Sequence, residues 1–154
     1  VAERDRIAVQ TAAFDVGAET ARLAALDRGI GAIASFVGLM RDQNNGDAVQ
    51  AMTLEHYPGM TESALADIVA EAHGRWALMG TAVIHRVGPL HPGDPIVLVL
   101  TASAHRGEAF AACEFIMDYL KTRAPFWKHE TTASGGCWVE ARDSDDNAAA
   151  RWNR

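Results

Sequence analysis

Lysine is almost missing from this chain. Of its 14 basic residues two are lysines, Lys121 and Lys128, and the other 12 are arginines. Cysteine is as sparse: Cys113 and Cys137 form no C-x-x-C pair and are too few for a disulfide framework. No apolar run approaches the roughly 20 residues of a membrane span, and the N-terminus lacks the charged-then-apolar pattern of a secretory signal. The expected compartment is therefore the cytoplasm, with no membrane partner. A net charge of −6 argues against a general nucleic-acid binder. There is no glycine-rich phosphate loop of Rossmann or Walker type. No Ser or Cys sits in a nucleophile motif, and the histidines show no H-E-x-x-H or comparable ligand spacing. Neither a metal nor a resident cofactor is expected.

What is present fits one domain over residues 1–154, with 49% hydrophobic and 22% charged residues. Short strands are predicted at Ile7–Gln10 and Ile30–Met40, separated by an Ala-rich helix from Gly17 to Arg28 that ends near Gly29. The polar stretch Arg41–Asp47 (RDQNNGD) reads as a loop, and Val49–Tyr57 as a strand ended by Pro58 and Gly59. A helix to Trp76 carries Leu65, Ile68, Ala72 and Trp76 on one face. Thr81–Val87 and the strongly apolar Ile96–Ala102 read as strands around the turn His91–Pro95 (HPGDP). A long helix from Arg106 to Arg123 has Phe110, Cys113, Met117 and Leu120 as its apolar stripe, and Pro125 ends it. Phe126–Thr131 and Trp138–Ala141 follow as strands around a Ser-Gly-Gly turn. The polar remainder, residues 143–154, is expected to be a loosely held tail. Strands and helices mix without strict βαβ alternation, which indicates an α+β fold with two main helices and a mixed, largely antiparallel sheet.

Three clusters invite chemistry, each with a plainer reading beside it. The first is KTRAPFWKHE, Lys121–Glu130. Lys121 sits in the last helical turn, four residues beyond Met117 and on its face, and Lys128 follows the Pro125 turn. Both ammonium groups are expected to reach one cavity walled by Phe126 and Trp127, where two close cations lower each other's pKa. The plainer reading has Lys121 complementing the helix dipole and Trp127 filling the core. The second is SAHR, Ser103–Arg106. Cations in a first helical turn oppose the macrodipole unless an anion is held there; Glu108 is a local alternative anion. The third is Arg41 at the mouth of the polar loop, which on its own reads as a solvated arginine.

The segments TLEHYPGMT (53–61), HRVG (85–88), PGD (92–94), SAHR (103–106), FIMDYLKTRAPFWK (115–128) and WVEAR (138–142) resemble, in consistent order, the large subunit of molybdopterin synthase, the MoaE family. The resemblance runs from about Ile30 to Arg142, and residues 1–29 match loosely. It implies an α/β-hammerhead fold and a sulfur transfer that converts cyclic pyranopterin monophosphate to molybdopterin. The sulfur would come from a thiocarboxylate on the C-terminal Gly-Gly tail of a small ubiquitin-like subunit. The implied assembly is a heterotetramer around a central homodimer of large subunits. Carried onto this chain, the catalytic lysines are Lys121 and Lys128. Substrate binding falls on Leu39, Met40, Arg41, His105, Arg106, Lys121, Lys128, His129 and Glu130, with Phe36, Met117 and Arg142 as further candidates. The RDQNNGD loop and His129 depart from the family's usual forms without removing a charge that this assignment uses. A non-catalytic binding subunit and a cyclic-phosphate hydrolase without a sulfur partner are the alternatives.

Overall fold

The run Pro95–Ser103 is apolar without alternation, as a strand buried on both faces must be. The computed structural model, which describes residues 4–44, 47–132, 135–139 and 143–153, makes it a nearly wholly buried strand at the interior of a sheet. In chain order the elements are β1 (Asp5–Gln10), α1 (Val16–Ala24), β2 (Ala32–Leu39), β3 (Gln43–Asn44), β4 (Asp47–His56), α2 (Met60–Arg75), β5 (Leu78–Arg86), β6 (Gly88–Leu90), β7 (Pro95–Ser103), α3 (Arg106–Arg123), β8 (Phe126–Thr132), β9 (Gly135–Val139) and α4 (Asp143–Ala150). The first sheet has the order β1-β5-β7-β2, with β1 parallel to β5 and the other pairs antiparallel. The second runs β3-β4-β8-β9, with β6 also on β4, and is antiparallel throughout. The fold is α+β as expected, with its strands divided between two sheets.

Period-two alternation divides the core. On β7, Val97 and Val99 face α2 and α3, packing with Leu65, Ile68, Val69, Ala72, Ala112 and Ile116. Leu98, Leu100 and Ala102 face the other way, towards Leu23 of α1. A third, smaller cluster of Met40, Met52, Leu54, Val87 and Leu90 joins the second sheet to the first, with Phe126 against it.

Local chemistry sets the helix starts. Asp15 caps α1 by accepting from the Ala18 N–H at 2.9 Å. Gly59, at φ 85°, makes the left-handed turn from β4 into α2, and its N–H donates to the Glu62 carboxylate at 3.2 Å. Thr61 closes that corner: its hydroxyl accepts from the Tyr57 N–H and donates to the Pro125 carbonyl at 3.0 Å. The entry to α2 is thereby tied to the residue that precedes β8.

Several expectations need correction. α1 ends at Ala24, short of Arg28. The RDQNNGD loop contains β3, paired with the start of β4. The three-residue β6 was not expected. Phe110 is 65% exposed, because the buried face of α3 centres on Ala109, Ala112, Cys113, Ile116 and Leu120 and Phe110 lies about 100° around the helix from Ala109. The C-terminal stretch is not a loose tail. It forms α4, and Trp152 packs edge-on against Trp76 and Phe115 at 5.6 Å while its indole N–H donates to Asp118 at 2.6 Å. One tryptophan anchors a segment whose average polarity hides it. Among the described residues no helix is long and apolar enough to cross a membrane.

Candidate functional site

The long helix α3 sets the geography. Thr101 donates its hydroxyl to the Ala109 carbonyl at 2.6 Å, and the Cys113 thiol contacts the Val99 carbonyl at 3.8 Å. As numbers fall along β7 they rise along α3, so the helix returns antiparallel over the strand. It starts beside Ser103 and brings Lys121 back to the Pro95 end. Arg41 follows β2, whose Leu39 pairs with Pro95. There Met40 donates its N–H to the Asp94 carbonyl at 2.9 Å and accepts from the Gly93 N–H at 2.8 Å. Arg41 and Lys121 therefore lie at the same end of the first sheet.

Lys128 comes to that end from the second sheet. On β8, Phe126 pairs with His56, Lys128 with Leu54 and Glu130 with Met52. Directly opposed residues of an antiparallel pair share a face. Leu54 and Met52 are buried, so Phe126, Lys128 and Glu130 line the inward face. Glu130 is 8% exposed. Trp127 and His129 take the outward face, where Trp127 meets the Tyr57 ring edge-on at 4.1 Å. The cavity wall expected from Phe126 and Trp127 together is thus corrected: alternation separates the two rings, and Phe126 alone faces inward.

What Phe126 faces is His85, near the end of β5. The rings stack with centroids 3.9 Å apart and planes at 21°. His85 is 5% exposed, and its Nδ1–H donates to the Arg86 carbonyl at 2.8 Å. Burial first, opposed by that hydrogen bond and assisted by the charges of Lys121, Lys128 and His56, pushes its pKa down to about 3. Lys121 of α3, Lys128 of β8 and His56 of β4 are thus all near enough for their charge to act on this one ring. His85 and His56 were dismissed in the sequence because no ligand spacing includes them. A lone histidine in an apolar strand carries no linear signal of its surroundings.

His105 and Arg106 lie elsewhere. His105 occupies the N-cap of α3 without a side-chain cap bond. Both residues are exposed, and among the described residues their side chains make no ion pair or hydrogen bond. Glu108, the local anion considered for them, instead accepts from the Ser103 hydroxyl at 2.9 Å. Arg106 and Lys121 are 15 residues apart on one helix, about 22 Å by the helical rise. Side chains leaving a helix roughly across its axis do not close that gap. One chain thus gathers Arg41, Lys121, Lys128 and Glu130 at one end and His105 with Arg106 at the other.

The remaining candidates fall around the first group. Leu39 is 55% exposed, Met40 is buried and Met117 is 8% exposed. Phe36 is 41% exposed on β2, an edge strand. Its ring lies over Gly38, where a Cβ would come 3.3 Å from the Phe36 ring and 2.7 Å from Val97. Arg142 lies outside the described residues. Burial raises the Cys113 thiol to about 11, which leaves it unreactive.

Relatives carry the same architecture. The chain is 64% identical over 146 residues to the molybdopterin synthase catalytic subunit of Ralstonia nicotianae, covering 95% of this chain and 83% of that protein. The solved molybdopterin biosynthesis MoaE protein of Burkholderia ambifaria superposes with a TM-score of 0.82 at 57% identity, covering 96% of this chain and 98% of that one. Molybdopterin synthase from Staphylococcus aureus superposes at 0.79 with 29% identity, covering 87% and 96%. Residues 9–123 match the family described as MoaE protein, and the chain belongs to that family.

Proposed function

We propose that this chain is the catalytic subunit of a molybdopterin synthase. It would transfer sulfur from the thiocarboxylated Gly-Gly tail of a small ubiquitin-like subunit to cyclic pyranopterin monophosphate. The observation that carries the reading is the gathering of both lysines of the chain, one from α3 and one from β8, at the end that also holds Arg41. In that arrangement Lys121 meets the terminal carbonyl of the tail and stabilises charge there. Lys128 protonates or orients the opening phosphate ester. Arg41 donates charge-assisted hydrogen bonds to the phosphate.

The length of α3 supports a site shared between two copies of the chain, in which His105 and Arg106 of one copy complete the lysine site of the other. Arg106 and His105, without side-chain partners among the described residues, stand at a helix start, where the Arg106 charge opposes the macrodipole and both side chains suit an anion brought from outside. The exposed edge strand β2, with Phe36, Val37 and Leu39, and the exposed Phe110 on α3 supply apolar surface of the kind protein interfaces use. The central homodimer of a heterotetramer fits this surface, and the whole assembly is read as cytoplasmic.

The test is single-turnover conversion of the pterin precursor by the purified chain with its small subunit, supplied either as preformed thiocarboxylate or with the Gly-Gly tail removed. Dithiolene should form with the first and not with the second, and the tailless partner should bind much more weakly. A chain that opens the cyclic phosphate with no sulfur partner is instead a hydrolase, and one that binds both ligands without turnover is a binding subunit.

A further inference from the structure

His85 is built into the lysine end with more care than a filler residue needs. It stands on β5 between Val9 of β1 and Val97 of β7. The carbonyl of Arg86 can only accept, so the bond to it fixes the ring proton on Nδ1 and leaves a lone pair on Nε2 in the neutral form. Arg86 is itself held, donating to the carbonyls of Thr11 and Pro95 at 3.1 to 3.2 Å. The His85 ring lies flat on Phe126, which opens β8, and Lys128 follows two residues on along the same strand face. The charged and titratable groups whose charge acts on the ring are Lys121 from α3, Lys128 from β8 and His56 from β4.

We propose that His85 is a positioning residue for Lys121 and Lys128: an uncharged ring, pinned to the Arg86 carbonyl and stacked on Phe126, that sets where β8 begins and so where the Lys128 ammonium lies beside Lys121. An imidazolium at this point would be a buried cation beside two lysines, exposed Lys121 and half-buried Lys128, that already carry positive charge. Burial and the neighbouring charges keep it neutral across the physiological range. The kinetic arm of the test rests on the sulfur-transfer reading above, and the spectroscopic arm stands without it.

The scarcity of lysine makes the test clean. A chain isotope-labelled at lysine Cε gives two signals, each following the titration of its own ammonium. His85→Ala removes both the stack and the anchor, whereas His85→Phe keeps a stacked, neutral ring. The alanine variant should move at least one lysine midpoint by roughly half a pH unit or more. In the full complex with thiocarboxylated partner it should lower kcat on the order of tenfold, with KM for the pterin within about threefold. The phenylalanine variant should return the midpoint most of the way and recover most of kcat. A folded alanine variant with both lysine midpoints unchanged overturns the proposal, as does a phenylalanine variant displaced as far as alanine. Should alanine not fold, His85→Gln, polar and neutral but ringless, takes its place with the same expected displacement. A parent complex that transfers no sulfur sinks the functional reading, while the lysine titration still decides the role of His85.

Discussion

The two ends of α3 both carry cations, and they are built in opposite ways. At the C-terminal end Lys121 sits where the helix dipole favours positive charge, and its charge acts on His85, which is stacked on Phe126 at the start of β8. At the N-terminal end His105 and Arg106 sit against the dipole, exposed and without side-chain partners among the described residues. The first end is organised by the protein's own interior. On the proposed function, the second serves an anion that arrives from outside, and the two half-sites are complementary: one places ammonium groups, and the other offers donors to that anion.

The largest expected effect is at the organised end. Lys121→Arg retains charge but not the compact, titratable ammonium. It should fold normally and lose sulfur transfer by about a hundredfold to ten-thousandfold, the range of a lost acid–base or electrostatic contributor. Single-turnover assays beside melting curves measure this, and near-normal turnover would mean that position 121 requires only a cation. At the open end Arg106→Ala should weaken precursor binding about ten- to a hundredfold, from roughly 1.5–3 kcal/mol for a charge-assisted bond, with little change in melting temperature. A fall in stability with unaltered binding would make that end structural and erase the contrast.

A third effect belongs to the organised end alone. The unfolded chain protonates His85 near 6.5 and the folded chain near 3. Between those values the unfolded state binds more protons, so the native state loses stability as pH falls from 6.5 towards 3. At pH 4 the loss from this ring is on the order of 3 kcal/mol, at ~1.4 kcal/mol per unit. His85→Phe should flatten that part of the pH–stability curve, and parallel curves for the two proteins would show that His85 takes up a proton without unfolding. The smallest effect is at Phe110, 65% exposed on the Arg106 half of α3. Phe110→Ser should change monomer stability by no more than about 0.5 kcal/mol yet weaken self-association in sedimentation, and undiminished association would remove Phe110 from the interface.

Much of this was legible in the sequence. The limits of α3, Arg106 to Arg123, were expected and found, because Pro125 stops the helix and Ser103 closes an unbroken apolar strand before it. That Lys121 and Lys128 come to the same end of the fold was expected because a turn joins helix to strand between them, and both act on the same ring, His85. The separation of His105 and Arg106 from that pair was equally available, since 15 helical residues fix a distance. His85 was illegible: its meaning lies in β5, β8 and α3 meeting at one end, and no local pattern encodes that meeting. β6 is too short for a period to register, and α4 is masked by acidic and alanine residues until Trp152 is seen against Trp76.

The central claim is that each active site takes its lysines from one copy and its His105–Arg106 pair from another. Subunit mixing tests it most directly. Lys121→Ala and Arg106→Ala chains, each inactive or nearly so alone, are unfolded together, refolded together and supplied with thiocarboxylated partner. If sites are shared across a two-fold dimer, half of the dimers are mixed, and each mixed dimer has one site with both groups intact. Activity should therefore return to about a quarter of the parent's. Mixed dimers that form, as shown by differently tagged chains purifying together, and yet recover nothing beyond the sum of the separate variants would contradict the shared site and return both groups to a single chain.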